Sequence, residues 1–173
     1  MSSPLSDSAS RDERARRTPL LLRVLGTGLF SGYFPIASGT FGSLVAALIY
    51  WFIPGMDTWY VLLAVCVLTF IPGTIAAAHL EKEHGGDPSI VVIDEFLGMW
   101  IALLGLPKEL LPVILGFFAF RFFDIAKVPP ANYFDQRRGG LGIMLDDVVA
   151  GIYANILVRV VLFIAVETNV LSM

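Results

Sequence analysis

RFFDIAKVPPANYFDQRRGGLGIMLDDVVAG, residues 121–151, decides how this chain is read, because it gathers nearly a third of the charged side chains of a very apolar protein. Carboxylates stand at Asp124, Asp135, Asp146 and Asp147, cations at Arg121, Lys127, Arg137 and Arg138, and Gly139, Gly140 and Gly142 make the segment between them pliable. Two ionised carboxylates ~4 Å apart repel by about 4 kcal/mol at an effective dielectric near 20. Either one of them is protonated or a cation sits between them. The second option points to a metal site.

The surroundings make such a cluster costly. Of 173 residues 56% are hydrophobic and only 16% charged, against about 45–50% and ~25% in a soluble domain. The excess apolar surface has to face lipid or a partner, and membrane residence is the better reading. A net charge of −3 argues against a phosphate-backbone partner, which normally needs a basic face, so no nucleic acid is expected. The single cysteine, Cys66, lies in an apolar run and reads as a small core residue. Residues 1–18 are rich in Ser and charge and are expected to be a disordered polar tail. Arg11, Arg14, Arg16 and Arg17 resemble the basic region of a secretory signal, but the tail is read as uncleaved and cytoplasmic. Residues 19–173 then form one domain.

Residues 19–36 carry an apolar stripe at helical spacing, broken by Arg23 and glycines, and are expected to lie along the membrane interface. Next comes Ala37-Ser38-Gly39-Thr40-Phe41-Gly42-Ser43. Backbone N–H groups here, with the hydroxyls of Ser38, Thr40 and Ser43, suit an anion. Equally, Thr40 or Ser43 suits a helix cap. Residues 58–78 read as a membrane span despite Pro72. In the segment 79–89, His79, Glu81, Glu83 and His84 invite a metal reading, but they show no fixed ligand spacing, and a solvated helix end is the favoured reading. Asp94 and Glu95 interrupt the apolar helix expected over 90–106, and 148–166 forms the last long run, carrying Arg159. That arginine is expected to pair inside the bundle or to snorkel.

If the runs near 43–53, 58–78, 94–106, 110–123 and 148–166 each cross or penetrate the bilayer, the Gly-rich loop, Asp94-Glu95 and the 121–147 segment emerge on one side. Most Lys and Arg share that side, and Lys108 lies opposite, which makes the shared face cytoplasmic. The runs 43–53 and 94–106 are too short to cross ~30 Å of hydrocarbon at ~1.5 Å per residue. The expected fold is therefore an all-α helical integral-membrane bundle with several short or half-buried helices and a cytoplasmic-face active site.

Two segments look alike. Asp94-Glu95-Phe96-Leu97-Gly98 and Asp146-Asp147-Val148-Val149-Ala150-Gly151 each place an acidic pair before an apolar helix, with Asp94 to Gly98 and Asp147 to Gly151 both four apart. Helix capping explains one such pair but poorly explains two, plus Asp124, on one face of the bundle. Arg121, Asp124 and Lys127 recur every three residues on one helix face, as a salt-bridge ladder would also do. All-oxygen donors suit a hard cation such as Mg2+, which shares itself with substrate phosphates. No zinc-type Cys/His spacing is present. The Gly-rich loop lacks the lysine of a nucleotide-binding loop, and no G-x-S-x-G elbow occurs.

ASGTFGSL at 37–44, IVVIDEFLGMWIAL at 90–103, and FRFFDIAK with GGLGIMLDDVVAGIYAN between 120 and 155 closely resemble the bacterial phosphatidylglycerophosphatase A family. The resemblance spans most of residues 20–165 and keeps three motifs in order. It implies an all-helical, Mg2+-dependent, multi-pass enzyme of the bacterial inner membrane that converts phosphatidylglycerophosphate to phosphatidylglycerol. By motif position it implies Asp94, Glu95, Asp124, Asp146 and Asp147 as the acidic, metal-holding residues. It also implies Gly39, Thr40 and Gly42 in the Gly-rich motif and Lys127 as the basic position.

The expectation that follows is metal-assisted hydrolysis of a phosphomonoester on a lipid headgroup. The five acids hold Mg2+ directly or through waters. Lys127, with Arg121 or Arg138, balances phosphoryl charge, the 38–43 loop cradles the phosphate, and the acyl chains stay among the apolar helices. Water and an aspartate stand as alternative nucleophiles. Two rivals come from other classes. A small transporter or channel subunit would place the acids at mid-bilayer depth, and a structural adaptor would use them only as caps.

Overall fold

The computed structural model describes residues 17–86, 88–135 and 139–168. Nearly all of the polar tail, with Arg11, Arg14 and Arg16, lies outside the described residues, as do Arg137 and Arg138. Seven α-helices run through the described residues: α1 (Leu20–Gly26), α2 (Ser38–Phe52), α3 (Trp59–His84), α4 (Ile93–Leu103), α5 (Leu110–Ala126), α6 (Ala131–Asp135) and α7 (Gly140–Glu167). A 3-10 turn over Ser31–Tyr33 joins the first two. The molecule is an all-helical bundle.

Two helices are long and apolar enough to cross a membrane, α3 with 26 residues and α7 with 28, each with a mean hydropathy of 2.3 over its best window. At 1.5 Å per residue each exceeds the ~30 Å hydrocarbon thickness. Only 28% of either window is buried inside the protein. A core helix of a water-soluble protein would be mostly covered. Here Val67, Leu68, Ile71, Ile156, Phe163 and Ile164 stand exposed, a surface that lipid satisfies and water does not. Pro72 sits inside α3 without ending it, as membrane helices tolerate.

Helix α4 has only 11 residues, about 16 Å of rise, so it ends part-way through the bundle. Helix ends inside hydrocarbon need partners for their last carbonyls. Asn155 and Arg159 of α7 supply them: Asn155 Nδ2 donates to the carbonyls of Ile101, Ala102 and Leu104, and Arg159 Nη2 donates to Leu104 O at 2.8 Å. Arg159 thus caps a half-helix. On the opposite face of α4, the Trp100 indole donates to Ala46 O of α2 at 3.0 Å.

The core runs along α4, which packs most extensively on α7. Gly98 and Gly151 make that crossing. A side chain at Gly151 would run into Gly98 O, and one at Gly98 would stand 2.8 Å from Asp147 O and against the buried Phe120 ring. The four-residue spacing noted in both acidic motifs has its reason here. Each glycine is one turn below its acid, so the contact that joins the helices also brings their carboxylates face to face.

The start of the last helix differs from the expectation. Asp146 and Asp147 do not start a helix, because α7 begins at Gly140 and leaves them nearly two turns inside it, with no acid in its first turn. Capping therefore does not explain this pair. The helix starts early because Gly140 fits against α3, where a side chain would collide with Thr74 O and Ala78 N. Helix α3 runs on to His84 with His79, Lys82 and His84 exposed, as expected of a solvated helix end. There Glu83 pairs with Arg23 of α1 at 2.5 Å and accepts the Thr18 N–H at 2.9 Å.

Candidate active site

One open pocket of about 460 Å³ lies at the end of the bundle where α2 and α4 begin and α5 ends. Its wall includes Ser38, Gly39, Glu81, Asp94, Glu95, Arg121, Asp124, Lys127, Asp146 and Asp147. The acids of three distant segments therefore share one cavity. Asp94, Glu95 and Asp147 present ligand atoms within 4.8 Å of one another, and so do Asp124, Asp146 and Asp147. Asp147 belongs to both groups and is only 2% exposed.

Each side chain is placed by its helix. Asp94 and Glu95 occupy the first turn of α4, where the helix dipole favours negative charge. Arg121 and Asp124 are one turn apart on α5 and pair at 2.8 Å. Lys127 ends α5 in the left-handed conformation, φ 47°. It contacts Asp146 Oδ2 and lies 3.4 Å from Asp124 Oδ1. Asp146 Oδ1 accepts the Asp147 N–H at 3.0 Å. Burial works against the Lys127 ammonium, while the adjoining Asp146 and Asp124 raise its pKa above the ordinary lysine value.

The Gly-rich segment divides. Ser38 and Gly39 line the pocket, and Gly39 leaves room for Glu95, whose Oε1 a side chain there would strike. Thr40, Gly42 and Ser43 are not among the lining residues. Gly42 packs against Val92, where a Cβ would stand 2.8 Å from the valine Cβ. Ser43 is fully buried, donates to Gly39 O at 2.8 Å and accepts from Arg121 Nη1 at 3.3 Å. The Ser38 hydroxyl donates to Ser89 O. Arg138, the remaining expected phosphate partner, lies outside the described residues.

Glu81, read from the sequence as part of a solvated helix end, also lines the pocket. Its Oε1 accepts the Gly139 N–H at 3.1 Å, tying the end of α3 to the start of α7. The signal was available in helical phase, since Ala77, Leu80 and Glu81 continue the α3 face that packs inward.

Comparison with known proteins agrees with this geometry. The model of the phosphatidylglycerophosphatase A family matches residues 24–162, a range that contains every described acid of the pocket. The chain belongs to the phosphatidylglycerophosphatase A family. It is 39% identical over 132 residues to phosphatidylglycerophosphatase A of Escherichia coli, covering 75% of this chain and 76% of that one. To the Haemophilus influenzae protein of the same name it is 37% identical over 140 residues, covering 79% and 86%. A Bacteroides thetaiotaomicron protein named "Putative phosphatidylinositol-3-phosphatase" is 40% identical over 152 residues, covering 84% and 96%. No solved structure matches the chain. In this member of the family, residues from each of the three motifs line one pocket.

Proposed function

We propose that this protein hydrolyses the phosphomonoester of phosphatidylglycerophosphate to phosphatidylglycerol and inorganic phosphate, with Mg2+ as cofactor, in the bacterial inner membrane. The observation that carries the reading is the meeting of Asp94, Glu95, Asp124, Asp146 and Asp147 around a pocket at one end of an apolar bundle. The donor set fits the ion: it is all oxygen, as Mg2+ prefers. The Asp147 Oδ2 and Glu95 Oε2 atoms are buried without a hydrogen-bond partner, which is costly unless a cation completes them. Mg2+ held by these carboxylates would supply Lewis acidity toward a phosphoryl oxygen and toward the attacking water.

The remaining work falls to the chain itself. Arg121 Nε is buried without a hydrogen-bond partner and would donate to a phosphoryl oxygen. Lys127 offsets charge on the phosphoryl group as it builds. Ser38 and Gly39 bound the pocket on the side of α2. Between α2 and α5 an apolar groove of about 300 Å³, lined by Leu44, Leu48, Trp51, Ile114 and Phe118 among others, starts next to Ser43. It leaves space for an acyl chain while the headgroup reaches the acids. The substrate would thus be taken from the membrane plane.

The orientation follows from charge. Arg17, Arg23, Lys82, Arg121 and Lys127 lie at or near the pocket end, and Lys108 bonds to Ile53 O at the other, which under the positive-inside rule turns the pocket to the cytoplasm in a multi-pass arrangement. The carboxylates gather at one end of the bundle and not along its length, against the channel reading.

The test is phosphate release by purified protein in detergent from phosphatidylglycerophosphate, phosphatidic acid and phosphatidylinositol 3-phosphate, with Mg2+ and then EDTA. Turnover of the first, abolished by EDTA, is expected. Preference for the inositol lipid would move the assignment to the activity named for the Bacteroides relative, and release insensitive to EDTA would remove the metal.

A further inference from the structure

The five carboxylates are not equivalent. We propose that they hold one divalent cation, seated on Asp94, Glu95 and Asp147, while the Lys127 ammonium fills the place of a second cation between Asp124 and Asp146. This rests on the metal-dependent reading above and narrows it.

The two triads share Asp147 and have the same compactness, with ligand atoms within 4.8 Å, so distance alone does not separate them. Their company does. Every oxygen of Asp124 and Asp146 already has an N–H partner. Arg121 Nη1 sits 2.8 Å from Asp124 Oδ2, Lys127 Nζ lies 3.4 Å from Asp124 Oδ1 and contacts Asp146 Oδ2, and the Asp147 N–H donates to Asp146 Oδ1. Two carboxylates are matched by two fixed cations. A metal ion arriving there would have to displace an ammonium that both acids hold.

The other triad differs. Asp147 is 2% exposed, and its Oδ2 has no hydrogen-bond partner; nor has Glu95 Oε2. A buried carboxylate oxygen with no donor is expensive, and these two face one cavity beside Asp94. A hard cation with retained waters satisfies such a set.

The backbone at Lys127 supports the division. Its φ of 47° is strained for a non-glycine residue, and strain of this kind persists where the surroundings over-determine it. The same turn that ends α5 delivers the ammonium to Asp146, nineteen positions along the chain. A glycine would end the helix at less cost but deliver no charge.

The test counts cations without using turnover. Full-length protein in detergent is titrated with Mn2+, following free Mn2+ by electron paramagnetic resonance. The wild type is expected to bind one Mn2+ per chain. Glu95→Gln and Asp147→Asn should weaken it by more than about 100-fold, beyond what loss of an outer partner costs. Lys127→Met should open the second triad and bind two Mn2+, with signal broadening because the triads share Asp147. Two Mn2+ on the wild type, or one on a folded Lys127→Met chain, overturns the proposal. Should Lys127→Met not fold, Asp146→Asn decides: one Mn2+ within about fivefold of wild-type affinity supports the division, and its loss overturns it. Two sites together with EDTA-sensitive turnover would sink this inference alone. One site without phosphate release from lipid would sink the proposed function alone.

Discussion

Gly98→Ala tests the link between helix packing and chemistry. A methyl at position 98 would stand 2.8 Å from Asp147 O, whereas ordinary contact begins near 3.4 Å, so α4 and α7 must part by about 0.6 Å. The Phe120 ring on the other side is fully buried and has little room to turn. Replacing a helical glycine gains about 1 kcal/mol of helix propensity, while overpacking costs about 1–3 kcal/mol. The net expectation is a destabilisation of roughly 0–2 kcal/mol, small enough for the chain to fold. Catalysis should suffer more. The displacement opens the gap between Asp94-Glu95 and Asp147, and metal–ligand distances tolerate only about 0.2 Å. A misplacement near 1 Å can cost 10²-fold, so kcat should fall on the order of tenfold or more, with weaker Mn2+ binding. Thermal unfolding in detergent, Mn2+ titration and phosphate release together read this out. Wild-type turnover and wild-type Mn2+ affinity in folded Gly98→Ala would refute the reasoning.

Three further outcomes are expected. Gly39→Ala should lower kcat with little change in thermal stability, since the methyl displaces the Glu95 carboxylate and stands 3.3 Å from Arg121 Nη2; unchanged turnover would show that Glu95 need not hold its position. Asn155→Ala removes the donor shared by three carbonyls at the end of α4 and should cost about 1–2 kcal/mol. It should be seen as a lower unfolding temperature, with turnover retained where the variant is folded. Asp124→Asn takes the anionic partner from Arg121 and Lys127 and should cut kcat by at least about 100-fold, whereas an adaptor whose acids only cap helices would show no such loss.

The acids were legible because charge in an apolar chain needs a reason; the matched spacing of Asp94 with Gly98 and Asp147 with Gly151 was visible too, but only the structure shows that the two glycines meet at a helix crossing. The start of α7 was not legible. Gly139 and Gly140 look like breakers, and only the close approach of Thr74 and Ala78 makes Gly140 the right residue for a helix start. Gly42 and Ser43 looked like parts of a phosphate loop because small residues and hydroxyls serve packing and anion binding alike; here Gly42 admits Val92, and Ser43 bonds to Arg121. Glu81 showed only in helical phase, and the partners of Asn155 and Arg159 were not readable locally, since the carbonyls they bond lie more than 50 residues away.

The most direct check on the account compares phosphate release from phosphatidylglycerophosphate by the wild type and by Asp147→Asn at matched folding, with Mg2+ and after EDTA. Wild-type release that EDTA stops and Mg2+ restores, with Asp147→Asn at least about 10³-fold slower, is predicted. Release by Asp147→Asn within about tenfold of the wild type would contradict the claim that acids from three segments act as one site.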